Sequence, residues 1–199
     1  LSRKELPFRY GFSFFVFFTM LFNGGLVPTY MMWTQTFHIK NTLLALILPN
    51  LLLNAFYIIM MRSFFTANIP DALLEAARID GAGEYRILWT VVLPLSKPMM
   101  ATISLMVGLG YWNDWMNSMY YITDENLYSI QAILNTIITN IQYLTSGQSS
   151  VTSSVDVSKL PSVSIRMAIA VIGVLPILCI YPFFQKYFVK GIVVGGVKG

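Results

Sequence analysis

Residues 75–94 read EAARIDGAGEYRILWTVVLP and connect two long apolar stretches of the chain. The segment opens on a glutamate and is the densest charged connector between two such stretches. Two alanines, Ala76 and Ala77, and the glycine Gly81 follow at short spacing. Small side chains let another backbone approach closely. The segment therefore predicts a docking surface for a partner protein rather than a catalytic centre.

The composition around this segment is that of a membrane protein. Hydrophobic residues fill 56% of the 199 positions and charged residues 11%, against about 25% charged residues in soluble domains. A helix needs about 20 apolar residues to cross a bilayer, and four stretches approach that length: residues 10–33, 42–65, 99–121 and 165–188. We expect an all-α, polytopic helical membrane protein, with a loop over 66–98 on one side and an external helix and loop over 122–164.

The cationic residues are divided unevenly between the two sides of the expected membrane. Positive side chains favour the cytoplasmic ends of membrane spans, and four crossings place ten of them on one side and three on the other. The ten are Arg3, Lys4, Arg9, Arg62, Arg78, Arg86, Lys97, Lys186, Lys190 and Lys198, and the three are Lys40, Lys159 and Arg166. This bias places both termini and the 66–98 loop in the cytoplasm, and explains the net charge of +4 without nucleic acid.

Within the loop the sequence predicts two helical pieces separated by a turn. The first begins at an N-cap on Asn68 and runs to about Ile79, and a second amphipathic piece covers residues 84–92. Glu75 and Arg78 are three residues apart, so a local surface ion pair is the alternative to a docking role for these charges. Both interpretations place the segment outside the bilayer.

Polar side chains inside the apolar stretches are the candidates for a transport pathway. Two asparagines four residues apart in the second stretch share one helical face, which indicates either interhelical hydrogen bonding or a lined pathway. Near the end of the third stretch, an acid among amides and aromatics indicates either an interfacial belt or sugar contact. The candidates are Asn50, Asn54, Asn113, Asp114, Trp115 and Asn117.

A further helix is predicted outside the spans, and one cysteine lies within the last of them. Apolar residues recur at helical spacing over residues 127–144, which indicates either a packed external helix or one that lies at the interface or the pore mouth. The single cysteine, Cys179, can form no intrachain disulfide. It is predicted to be buried.

Catalytic signatures are missing from the sequence. His38 is the only histidine, so no metal cluster or acid–base pair can be built around histidine. The phosphate-binding pattern G-x-x-x-x-G-K-[ST] and the nucleophile pattern G-x-S-x-G do not occur. The sequence therefore predicts no catalytic residue, metal or cofactor, and it indicates a conduit whose energy, if any, comes from elsewhere.

Several of these motifs resemble those of one family. Glu75-Ala76-Ala77, Gly81 and Leu93-Pro94 resemble the signature of the membrane subunits of binding-protein-dependent ABC importers, with Val91 where isoleucine is usual. Residues 69–82 are similar to the carbohydrate branch, the relatives of the smaller maltose-transporter permease. Residues 2–7, 24–30 and 112–115 resemble the subgroup that imports oligosaccharides from plant or other complex polysaccharides.

The resemblance implies a particular assembly. The family permease has six spans, of which this chain would hold the last four, in the bacterial cytoplasmic (inner) membrane. The loop would form a coupling helix seated on a dimer of ABC ATPase subunits, and residues 190–192 and 196–199 would reach toward that dimer. The implied coupling residues are Glu75, Ala76, Ala77, Asp80, Gly81, Leu93 and Pro94. The other implied partners are a second permease subunit, an external substrate-binding protein, an oligosaccharide and membrane lipid.

Three alternatives stay open at this point. The chain could serve an ABC importer of a non-sugar solute. It could belong to an ion-coupled secondary transporter or channel, but that class predicts charges deep in the spans, and Asp114 is the only acid within one. A membrane enzyme would need a catalytic cluster that the sequence lacks.

Overall fold

The computed structural model describes residues 1–145 and 162–195, which form helices and connecting segments without a β-strand. The predicted all-α fold is confirmed. The helices are α1 Arg9–Leu21, α2 Leu26–Met31, α3 Leu43–Leu51, α4 Ala55–Asn68, α5 Asp71–Ile79, α6 Glu84–Ile87, α7 Leu93–Leu95, α8 Lys97–Trp112, α9 Met116–Tyr121, α10 Ile130–Thr145 and α11 Ser162–Gly195. Two π-helical turns, Met32–Thr36 and Leu88–Val92, continue α2 and α6, and a 3-10 turn covers Glu125–Leu127.

Three of the four predicted spans are broken into two helices each. The first is interrupted between α1 and α2, where Gly25 has a φ of +84° and its N–H donates to Asn23 Oδ1 at 2.9 Å. Glycine adopts positive φ without Cβ strain, so the chain can change direction there. The second breaks between α3 and α4, and the third between α8 and α9.

One helix in the described part of the chain is by itself long and apolar enough to cross a membrane. It is Val163–Tyr187, within α11, with a mean hydropathy of 2.4. The number rises to four if each of three helix pairs with a short break counts as one span. Those pairs are Arg9–Leu21 with Leu26–Thr36, Leu43–Leu51 with Ala55–Asn68, and Glu84–Leu95 with Lys97–Trp112. The last pair begins before the predicted third span, so the limits of the spans stay a prediction.

The chain divides into two compact units, of which the first contains the 66–98 loop. This unit comprises Leu1–Gly25, Leu51–Val107 and the described residues from Phe183 onward. In it α1 packs against α4. Ile69, Ile87 and Val92 form a buried core that joins the end of α4 to both helical pieces of the loop.

The second unit comprises Leu26–Asn50 and the described residues of Gly108–Pro182. Asn41 connects two of its segments, since its Nδ2 donates to Thr123 Oγ1 and its Oδ1 accepts from Thr123 N, both at 2.6 Å. The amphipathic helix predicted over 127–144 is confirmed as α10. One buried core cluster of this unit consists of Trp33, Ile39, Ala45, Tyr121 and Ile122.

Two local predictions are wrong. Asn68 is the last residue of α4, where its Nδ2 donates to Phe64 O at 3.0 Å, and Pro70 occupies the N-cap position of α5. The residue before a proline is driven to extended backbone, and Ile69 is extended, so α5 starts only after Pro70. Cys179 is exposed rather than buried, because α11 directs much of its apolar surface outward from the chain.

Candidate functional site

Helix α5 carries the first three predicted coupling residues and is amphipathic. Its inner face places Leu74 and Ala77 against the buried core of the loop. Glu75 and Ala76 lie on the exposed face. The predicted Glu-Ala-Ala motif is therefore divided, with two residues available to a partner and the third, Ala77, anchoring the helix.

The end of α5 is fixed by a left-handed glycine. Gly81 has a φ of +77°, its N–H donates to Arg78 O, and the N–H of Ala82 donates to Ala77 O, both at 3.0 Å. This pair of bonds is the Schellman motif, which satisfies the last helical carbonyls. Asp80 and Gly81 are both exposed at this turn. The backbone conformation at this turn therefore favours glycine at position 81.

The other two predicted coupling residues directly follow the second helical piece. Leu93 and Pro94 form most of α7, Leu93 half-buried and Pro94 exposed. Pro94 has no N–H to donate to the preceding turn. The chain enters α7 through a π-helical turn in which the N–H of Leu93 donates to Leu88 O.

The three most exposed large apolar side chains of the loop were missed by the sequence reasoning. Ile79 is 86% exposed, Tyr85 84% and Trp89 69%. Exposed large apolar side chains are typical of interaction surfaces when they adjoin one another. Ile79 directly precedes the Asp80-Gly81 turn. An apolar residue at the end of a helix with a polar outer face is the sequence signal that could have identified Ile79 as part of a docking surface.

Arg78 forms ion pairs with Glu5 and Glu84 instead of the local pair with Glu75. Its Nη1 and Nη2 donate to the two carboxylate oxygens of Glu5 at 3.0 and 2.9 Å, and its Nε donates to Glu84 Oε1 at 3.1 Å. The hydrogen bonds from Arg78 lower the pKa of Glu5, and those from Arg3 and Arg78 lower the pKa of Glu84. The same bonds raise the pKa of Arg78, so all these groups are charged at neutral pH.

Three of the six pathway candidates bond to one another in the second unit. Asp114 Oδ2 accepts from Asn50 Nδ2 at 2.7 Å and from Asn117 Nδ2 at 2.6 Å, and Asp114 Oδ1 accepts from the Asn117 N–H at 3.1 Å. The acid lies where α8 has ended and α9 has not begun. Its half-buried carboxylate therefore receives three donors at the break, and such hydrogen bonds offset the cost of removing a charge from water.

The remaining pathway candidates are placed differently. Asn54 is the N-cap of α4, and its Oδ1 accepts from Tyr57 N at 3.3 Å. Because α3 ends at Leu51, the expectation that Asn50 and Asn54 share one helical face is wrong. Asn113 and Trp115 are exposed, as are Asn50 and Asn54, so exposure alone does not distinguish among these candidates. Their contact with substrate stays a prediction.

This fold, with its helical spans and exposed loop motif, defines a class of transport protein. Residues 9–194 match the family of binding-protein-dependent transport system inner membrane components, and the chain belongs to that family. The protein is thus a membrane component of a transport system.

Particular relatives resemble the chain over its whole length. It is 40% identical to the polygalacturonan/rhamnogalacturonan transport system permease protein YtcP of Bacillus subtilis (strain 168), over 100% of this chain and 68% of that protein. It is 38% identical to Protein LplC of the same organism, over 100% of this chain and 65% of that protein.

A solved structure has the same fold. It is a bacterial ABC transporter involved in the import of the acidic polysaccharide alginate, with a TM-score of 0.76 and 30% identity. The match covers 94% of this chain and 64% of the other. The chain thus spans about two thirds of the length of each of these proteins.

Proposed function

We propose that the chain acts as the permease subunit of an ATP-driven importer that carries oligosaccharides across the cytoplasmic membrane. The observation that carries this proposal is the exposed surface of α5 and its turn, formed by Glu75, Ala76, Ile79 and Asp80. A polar rim around an exposed apolar anchor suits a protein partner. We assign that partner as a dimer of ABC ATPase subunits, of which one seats α5 in this permease.

The proposed mechanism is the transmission of motion from the ATPase to the spans. Closure of the ATPase pair would displace the loop, and the buried core of Ile69, Ile87 and Val92 lets the loop move as one body with the end of α4. Two permease subunits would then change between inward-open and outward-open states, and an external binding protein would deliver the solute. Such coupling requires the partner contacts to differ between the two states.

The choice of an oligosaccharide is supported by the relatives, whose names refer to transport of polygalacturonan, rhamnogalacturonan and alginate. Trp115 and Asn113 provide suitable chemistry, because an aromatic ring can stack on the apolar face of a sugar and an amide can bond its hydroxyls. We assign a structural role, rather than sugar binding, to the three bonded residues that hold the break before α9: Asn50, Asp114 and Asn117. The C-terminal residues 196–199, expected to reach the ATPase, lie outside the described residues.

Replacing Ile79 by alanine tests the docking surface. Full burial of an isoleucine side chain contributes about 1.5–3 kcal/mol, so its removal should weaken ATPase binding by roughly 10- to 150-fold. The measurement is co-purification of the ATPase with the full-length complex, together with uptake of a labelled galacturonan oligosaccharide into proteoliposomes. Ile130→Ala is the matched control, since Ile130 is an isoleucine 49% exposed on α10.

The outcomes separate the alternatives. Loss of both ATPase binding and uptake in Ile79→Ala alone supports the importer. Retention of both overturns the docking assignment. ATPase binding could depend on Ile79 while the binding protein takes only a non-sugar solute. In that case the ABC permease assignment stands and the assignment of an oligosaccharide substrate is overturned.

A further inference from the structure

We propose that the segment before α1 holds the 66–98 loop by a set of ion pairs, so that movement of α5 is passed directly to α1. We call this set the ionic clasp; its members are Arg3, Lys4, Glu5, Asp71, Arg78 and Glu84. The inference rests on the proposed function, because it assumes that a partner moves α5. It assigns positioning roles to residues that contact neither ATPase nor solute in the proposed mechanism.

Arg78 is the centre of the clasp. Its two terminal nitrogens pair with both oxygens of Glu5, and its Nε pairs with Glu84. A bidentate guanidinium–carboxylate pair fixes geometry as well as distance. Arg78 is also the less exposed partner, with 33% of its side chain accessible against 67% for Glu5. The guanidinium is thus half-buried and bonded to both the segment and the loop.

The other two pairs add separate points of attachment. Lys4 Nζ pairs with Asp71 Oδ2 at 3.0 Å, and Arg3 pairs with Glu84 on α6. Asp71 and Arg78 are seven residues apart on α5, which corresponds to about 10 Å along a helix. Attachment at both ends of α5 restrains its rotation as well as its position.

Apolar packing does not duplicate this attachment. The buried core of the loop contains no residue from 1–7 among the described residues. Cavities of about 740 and 300 Å³ lie along the segment; Arg3 lines both of them, and Glu5, Arg78 and Glu84 line the larger. The larger cavity lies mainly between the segment and α4, and the smaller one lies between the segment and the loop. The segment reaches the loop through the ion pairs of Arg3, Lys4 and Glu5.

The clasp gives the loop a third mechanical connection. The covalent chain already joins the loop to α4 and, through α7, to α8. Glu5 lies four residues before Arg9, the first residue of α1, so a displacement of Arg78 reaches α1 through a short stretch of chain. Motion imposed on α5 is then shared by α1, α4 and α8 rather than by α4 and α8 alone.

Neutralising the central pair tests the inference. Glu5→Gln and Arg78→Gln are compared with wild type and with Arg86→Gln, which removes an exposed loop arginine that has no ion pair among the described residues. Full-length complexes in proteoliposomes are assayed for ATPase co-purification, ATP hydrolysis and oligosaccharide taken up per ATP. The clasp variants should assemble and hydrolyse ATP but take up several-fold less sugar per ATP, whereas Arg86→Gln should match wild type.

Reversing the charges of Arg3, Glu5, Arg78 and Glu84 together should restore the uptake that the single variants lose. The variant Arg3→Glu, Glu5→Arg, Arg78→Glu, Glu84→Arg keeps every pair but inverts each sign, so uptake per ATP should return toward wild type. Charges that instead contacted the ATPase would not be rescued in this way. Wild-type uptake per ATP in Arg78→Gln overturns the clasp and leaves the importer intact. Failure of wild type itself to bind an ATPase overturns the proposed function.

A distance measurement tests the clasp without relying on the reversed variant. Spin labels at Ser2→Cys and Thr90→Cys, in a Cys179→Ser background, report the separation of segment and loop by pulsed electron resonance. The distance should be the same with and without ATP in the complex, and should become nucleotide-dependent when Arg78 is glutamine. A change with ATP in the otherwise wild-type clasp refutes the inference.

Discussion

Replacing Gly81 by alanine should loosen the end of α5 without creating a steric clash. Gly81 has a φ of +77°, and a Cβ added to it meets no atom within 4 Å. The penalty is therefore conformational and amounts to about 1–2 kcal/mol for a residue with a Cβ in the left-handed region. That free energy corresponds to roughly a 5- to 30-fold shift in the opening equilibrium of the turn. Gly81→Asn should lose less, because asparagine tolerates this region.

Hydrogen–deuterium exchange of the loop amides measures the effect. The N–H groups of Gly81 and Ala82 are bonded to the carbonyls of Arg78 and Ala77, so their exchange should accelerate by a similar factor in Gly81→Ala. Gly83→Ser is the matched control: Gly83 has a φ of −68° at the N-cap of α6 and open space around it, where serine is favoured. Unchanged exchange in Gly81→Ala, or an equal acceleration in Gly83→Ser, would refute the reasoning.

Two further predictions concern charged groups. Asp114→Asn should lower the stability of the purified protein by about 1.5–3 kcal/mol, because an amide cannot accept all three bonds that the carboxylate receives. The melting temperature in detergent should therefore fall. The control Asn113→Ala, at an exposed neighbouring residue, should melt at the wild-type temperature. The pKa values of Glu5 and Glu84 are lowered by their arginine partners, so the stabilisation from the ionic clasp is fully present above about pH 4.3, the usual pKa of a free glutamate, and is lost as pH falls through the lowered values. At neutral pH the loop amides should therefore exchange faster in the clasp variants than in wild type, whereas at acidic pH the two should exchange at the same rate. Added salt should reduce the difference at neutral pH.

Local patterns in the sequence were enough to predict several elements. The Glu-Ala-Ala helix ends at Ile79 as predicted, because Gly81 can take the left-handed conformation that closes a helix. The apolar spacing over 127–144 predicted α10, which buries Ala132, Leu134 and Ile141. These features depend on residues within a few helical turns of one another, so the local amino-acid sequence is enough to predict them.

The breaks in the spans were harder to predict because hydropathy does not record them. Residues 42–65 are apolar enough for one span, yet α3 ends at Leu51 and Asn54 caps a new helix. A capping asparagine and a pathway asparagine look alike in a sequence, and only the backbone dihedral angles at Asn54 distinguish them.

The sequence by itself determined the helical class, the membrane character, the exposed loop and the family to which they belong. Only the tertiary structure decided the partners of its charges: Arg78 meets Glu5 across 73 residues, and Asp114 meets Asn50 across 64. A hydrophobic periodicity is set by neighbours along one helix. An ion pair between distant segments depends on how the whole chain folds back on itself, and no local pattern encodes which acid will lie within reach of a given arginine.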